Sequence, residues 1–96
     1  MIEKSEGHYR INGSAMIADA RVLLEAGRTL LLAEPGKDIM LDFSAVGEVD
    51  SSTLGVVFGL MRTANEHGIT LRLANPPANL LSLADLYSVS DSLPVT

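Results

Sequence analysis

Gly47-Glu48-Val49-Asp50-Ser51-Ser52-Thr53-Leu54-Gly55-Val56-Val57 lies between an apolar run, Asp38 to Phe43, and a helical pattern, Ser52 to His67. Asp50, Ser51, Ser52 and Thr53 all start helices well, and the apolar periodicity begins at Leu54. The stretch is therefore a strand-to-helix junction. Unpaired backbone N–H groups at such a helix start, together with the helix dipole, favour negative charge. Three uses suit the place: an N-cap, a phosphorylated serine or a contact with a partner. As a cap, the Ser51 side chain would accept the N–H of Thr53 or Leu54, for about 1 kcal/mol. A phosphoryl group on Ser51 would gain from the dipole but would stand beside Asp50, which opposes it.

Upstream, Ile39, Met40, Leu41 and Phe43 make a strand apolar on both faces, the pattern of a central strand in a covered sheet. Downstream, Leu54, Val57, Phe58, Met61 and Ala64 share one helix face. A second row holds Gly55, Gly59, Arg62 and Glu66, and Gly68 stands where a C-terminal cap belongs. Each interior glycine costs roughly 1 kcal/mol of helix propensity against Ala. Either the two pack closely on the sheet, or they leave a flat outer strip for a partner's backbone. The well-defined apolar stripe favours the outer strip.

Ile69 to Ala74 alternates with period two, and Asn75-Pro76-Pro77 ends it. A short third helix then carries Leu80, Leu83, Ala84 and Tyr87 on one side. Toward the N-terminus, His8 to Asn12 alternates, with Ile2 in a short preceding strand and Glu6-Gly7 as the turn; Gly13-Ser14 breaks the strand. Met16 to Ala33 presents the stripe Met16, Ala20, Leu23, Gly27, Leu30 and Leu31, and Pro35-Gly36 stops it. This order predicts a single α/β domain over residues 1–96 with a largely parallel sheet. Strands are expected near 8–12, 38–43 and 69–74, and helices near 16–33, 52–67 and 77–88. The expected core is Ile39, Leu41, Leu54, Val57, Phe58, Met61, Leu71, Leu73, Leu80 and Leu83.

Composition narrows the function. Of 96 residues, 47% are hydrophobic but only 4% aromatic, so the core must be aliphatic. Without Cys there are no disulfides, thiolate metal sites or thiol catalysis. Twelve acids against seven bases give a net charge of −5, which argues against nucleic acid and against anionic lipid head groups. No run reaches the roughly 20 apolar residues of a membrane helix, and no signal-peptide core is present. The expectation is a cytoplasmic chain that inserts in no membrane and reaches one only through a partner. Asp42 and Asp50 with His8 or His67 are the candidate acid and base groups, but no spacing joins them. No metal-ligand pattern or phosphate-binding loop appears, so no cofactor and no catalytic residue are expected.

A strand ending in Leu41-Asp42-Phe43-Ser44, then Val49-Asp50-Ser51-Ser52-Thr53-Leu54-Gly55, then an apolar helix, resembles the STAS domain. That domain is shared by sulfate transporters and anti-sigma-factor antagonists. The resemblance runs from about Gly7 to Pro94, more weakly in the first third. It implies a mixed, mainly parallel sheet with helices mainly on one side, and a non-enzymatic, protein-binding role. It also places the phosphorylation position of anti-sigma-factor antagonists on Ser51. Thr53 stands where that pattern usually has Gly, and Gly13-Ser14-Ala15-Met16 where it has Gly-Glu-Leu-Asp. The C-terminal third, Leu80 to Val89 with Leu93-Pro94, is similar to the MlaB branch, the small STAS subunit of a phospholipid-transporting ABC complex. That branch implies an accessory subunit peripheral to the inner membrane, maintaining outer-membrane lipid asymmetry. It would bind the ATPase subunit, and through it a permease, by Ser51, Ser52, Thr53, Gly55, Gly59 and Arg62 with the start of the third helix. The alternative is an anti-sigma-factor antagonist regulated by phosphorylation of Ser51.

Overall fold

The computed structural model describes residues 2–15 and 17–95, without the side chains of Ser14 and Ala15. Met16, the expected first residue of the first helix, lies outside the described residues. Strand β1 (Ile2–Ser5) and β2 (His8–Ala15) form a hairpin through Glu6-Gly7, where Gly7 takes the positive φ of 69° that so tight a turn requires. Helix α1 (Ile17–Leu32), β3 (Asp38–Val49), α2 (Ser51–Glu66), β4 (Thr70–Ala74) and α3 (Ala78–Leu86) follow. A short 3-10 turn, Ser90–Ser92, precedes Val95, which forms a bridge to Leu73.

The sheet order is β1-β2-β3-β4, with β1 antiparallel and the other pairs parallel. Tyr9, Ile11, Ile39, Leu41, Phe43, Leu71 and Leu73 are buried on one face and pack against the helices. The Tyr9 hydroxyl donates to the Leu30 carbonyl of α1 at 3.1 Å. The opposite face carries His8, Arg10, Asn12, Thr70 and Arg72 and is open or half-open. The expectation of a β3 covered on both faces is thus corrected: Met40 is only half-buried. Asp42 on that side is buried by polar contacts. An α/β fold with a mixed, mainly parallel sheet and helices on one side is what the residues build.

Two strands run further than their sequence suggests. Gly13-Ser14 does not break β2, and Ser44 to Val49 continues β3. The pairing Arg10 with Asp42 becomes Asn12 with Ala45, and Gly13 with Val46 becomes Ala15 with Val49. Each shift inserts one extra residue in β3, as a bulge does, and carries the ribbon to the helix junction.

The core differs at three positions. Phe58, Met61 and Leu83 are half-buried, whereas Val56 and Leu60 are fully enclosed. Helix α2 lies against both the sheet and α1, so its buried arc is wider than one stripe. The second contact is close: a Cβ on Gly27 would stand 2.7 Å from Leu60 Cδ2, and one on Gly59 2.7 Å from Leu24 Cδ1. Two leucines thus fill two glycine notches across the α1–α2 seam. Gly59 packs between helices, correcting the expectation that it lies on an outer strip.

Candidate functional site

The junction after β3 is built around one carboxylate. Asp50, with extended backbone, is the N-cap of α2; its Oδ1 accepts the Ser52 N–H at 2.9 Å. Thr53 reciprocates, its Oγ1 accepting the Asp50 N–H at 3.2 Å, which completes a capping box. Asp50 Oδ2 also accepts the N–H of Ile17, the first residue of α1, at 3.0 Å. A single side chain therefore serves the N-termini of both long helices. Ser51 is not the cap; it is the first helical residue, and its side chain is exposed.

The other expected contact residues separate. Gly55 is exposed, with nothing within 4 Å of where its Cβ would be, and Arg62 is exposed two turns along the same side. Ser52 is half-buried. Thr53 is fully buried, so it supports the site from within and cannot touch a partner, contrary to the expectation. Gly59 is likewise occupied by Leu24.

The structure extends the α3 part of the site from the helix start to its end. A hollow of about 560 Å³ opens between Asp50 and Ser51 on one side and Asn79, Ser82, Leu83 and Leu86 on the other. A second, of about 310 Å³, lies between Leu54 and Phe58 and the end of α3 at Tyr87 and Val89. Both share Ser51 and Tyr87. Tyr87, spaced with Leu80, Leu83 and Ala84 on one side of the helix, is the C-cap of α3 and is 55% exposed; Leu86 is 73% exposed. The helical pattern runs one step past the helix end, which lies at Leu86. The signal that was available is the pair Leu86-Tyr87 itself, two large apolar residues at a helix end.

The candidate acid and base groups fall in two places. His8 Nε2 lies 3.0 Å from Asp42 Oδ2 on the open sheet face, and Asn75 donates to Asp42 Oδ1 at 3.1 Å. The Ser44 N–H donates to the same oxygen at 2.8 Å. Burial pushes the Asp42 carboxyl up, but these bonds from Ser44, Asn75 and His8 outweigh it and lower its pKa to about 2. Here the carboxylate sits between Ser44 and the imidazole, whereas activating a serine requires the imidazole in the middle. The network instead ties β2, β3 and the β4–α3 turn, where Asn75 holds φ 53°. His67 is far off, at the other end of α2, where its Nδ1 bonds the Thr63 carbonyl. No group of His, Cys, Asp and Glu that could hold a metal occurs among the described residues. No helix among them is long and apolar enough to cross a membrane.

The sequence model of the family described as "Mlab, STAS domain" matches residues 2–95. The anti-sigma-B factor antagonist of Bacillus subtilis (strain 168) is 28% identical over 97 residues, covering 99% of this chain and 87% of the relative. Among solved structures, the unphosphorylated anti-sigma factor antagonist SpoIIAA is similar with a TM-score of 0.67 and 19% identity. That similarity covers 90% of this chain and 81% of SpoIIAA. An anti-sigma factor antagonist from Mycobacterium paratuberculosis gives a TM-score of 0.68 and 18% identity, covering 99% and 81% of the two chains.

Proposed function

The chain belongs to the STAS domain family, and from that premise we propose that it is a non-enzymatic antagonist of an anti-sigma factor, switched by phosphorylation of Ser51. The observation that carries the reading is the position of Ser51. It is exposed on the first turn of α2 and shared by both hollows, while the Asp50 carboxylate beside it is engaged in capping. The curated relative, an anti-sigma-B factor antagonist, supports the same reading. A partner would lie across Ser51, Ser52, Gly55 and Arg62 on α2 and against the far half of α3.

A separate kinase would transfer the γ-phosphoryl group of ATP to Ser51 Oγ; the hydroxyl proton leaves and ADP is released. The product carries nearly two negative charges between two partly apolar hollows, beside Asp50. A partner seated there would have to desolvate that charge, so the complex dissociates. The experiment is binding of the purified protein to the anti-sigma factor of its source, with Ser51→Ala and Ser51→Asp. Ser51→Ala is expected to bind and resist ATP-driven release, and Ser51→Asp to bind weakly. Equal binding by all three forms would refute the switch.

A second reading is favoured by the description of the matching family. In it, the same face binds the ATPase of a phospholipid-transporting ABC complex, with a permease beyond, and the chain is cytoplasmic and peripheral to the inner membrane. Co-purification separates the two. An ABC ATPase with its permease would establish the second reading; a serine kinase of a sigma-factor system would establish the first. Under both, the protein alone hydrolyses no nucleotide. Turnover that survives repurification and is abolished by Asp50→Asn would overturn both.

A further inference from the structure

The face around Ser51 carries its own account of what it accepts. The first hollow has Val49, Leu83 and Leu86 in its walls; the second has Leu54, Phe58 and Val89. Leu86 and Tyr87 stand largely in solvent between them, and Ile17, whose amide is bonded to Asp50, is 74% exposed nearby. Three of the large exposed apolar residues thus gather at one end of the molecule, where covering them would recover roughly 25 cal/mol per Å².

The charge around them has one sign. Neither hollow is lined by Lys or Arg, and the only charged lining residue is Asp50. The charged residues next to the walls in sequence are also acids, exposed Glu48 before Val49 and exposed Asp85 before Leu86. Arg62, one turn beyond Phe58, marks where this acidic margin ends. An acidic segment or an anionic lipid surface would be repelled here, while Lys and Arg flanking apolar anchors would be attracted.

We propose that this face receives a basic amphipathic helix, its apolar side chains seated in the two hollows on either side of Ser51 and Tyr87. The proposal rests on the reading of this face as the partner face, and it names the chemistry of what the partner presents. Two adjacent hollows with apolar walls at Val49, Leu83 and Leu86 and at Leu54, Phe58 and Val89 suit the i, i+3/i+4 and i+7 anchors of such a helix. Glu48, Asp50 and Asp85 would meet its cationic flanks. Leu86 and Tyr87 become the principal contacts, and Ser51 lies where a phosphoryl group would enter the apolar part of the joint.

The test uses isotope-labelled full-length protein and two synthetic Leu-based helical peptides that differ only in Lys or Glu on the polar face. The Lys peptide is expected to shift the amides of Val49, Ser51, Leu86 and Tyr87. Its binding should weaken about tenfold or more with Leu86→Ser or Tyr87→Ser, and also with added salt. The Glu peptide should bind at least about tenfold more weakly. Equal binding of the two peptides, or shifts centred on Asp19 and Glu25 of α1, would overturn the proposal. So would sedimentation with phosphatidylcholine vesicles that Leu86→Ser abolishes, which would assign the face to a membrane. Binding of the anti-sigma factor that survives Leu86→Ser and Tyr87→Ser defeats this inference and leaves the proposed function standing. Groove-specific Lys-peptide binding without any anti-sigma factor binding does the reverse.

Discussion

Replacing Asp50 by Ala removes an acceptor from two helices at once. The capping bond to Ser52 N–H, with the reciprocal Thr53 arm, is worth about 1 kcal/mol, the usual range being 0.5–2. The second oxygen holds the Ile17 N–H at the start of α1, where a carboxylate contributes about 0.3–1 kcal/mol through the helix dipole. Asp50→Ala should therefore lose about 1.5–2 kcal/mol. Asp50→Asn is the discriminating variant. Asn caps as well as Asp does, so the α2 bond survives, but its NH2 group, a donor, replaces the Oδ2 that accepts the Ile17 N–H. Its loss should be about 0.5–1 kcal/mol and confined to α1. Urea denaturation reads the totals; at a slope near 1 kcal/mol per M, Asp50→Ala shifts the midpoint by about 1.5–2 M. Hydrogen exchange reads the division: the Ile17 amide should exchange faster in both variants, and the Ser52 amide only in Asp50→Ala. An Asn variant as stable as the parent, with Ile17 exchange unchanged, would refute the double cap.

Two further predictions concern packing and pH. Gly55→Ala, in open space, should stabilise the free protein by about 0.5–1 kcal/mol, whereas Gly27→Ala gains the same propensity but is driven into the enclosed Leu60, for a net loss of up to about 2 kcal/mol; thermal melts that move in the same direction would contradict the seam. Asp42 has its pKa lowered from 3.8 to about 2, so its bonds stabilise the fold fully above pH 4 and progressively less as pH falls toward 2. The whole effect is about 2 kcal/mol, so the stability gap between the protein and Asp42→Asn should narrow by about 1 kcal/mol from pH 7 to pH 3. A gap that stays constant over that range would mean that the carboxylate is not held in this way.

How much of this was legible in the sequence depends on the range of the interaction. The helices and short strands follow from local periodicity, and Asp50-Ser51-Ser52-Thr53 marked the junction because capping is a local signal. Which of the four caps was not local. Asp50 wins partly because α1 also presents its first amide there, 33 positions away in sequence. The continuation of β3 through Ser44 to Val49 was hidden because polar and small residues look like a turn, and only pairing with β2 makes them a strand. Gly59 was misplaced for a similar reason: a glycine facing solvent and a glycine facing Leu24 are identical in one chain. Tyr87 had the correct spacing for the core, and only the end of α3 turns it outward to the site.

Under the proposed function, the Ser51–Tyr87 face binds an anti-sigma factor, and phosphorylation of Ser51 undoes the contact. The most direct measurement is calorimetric titration of this protein with the purified anti-sigma factor of its source, before and after treatment with the cognate kinase and ATP. Saturable binding is expected before treatment and its loss afterwards, with mass spectrometry finding the added phosphoryl group on Ser51. Binding that persists after Ser51 is phosphorylated, or no binding at all alongside tight association with an ABC ATPase, would contradict it.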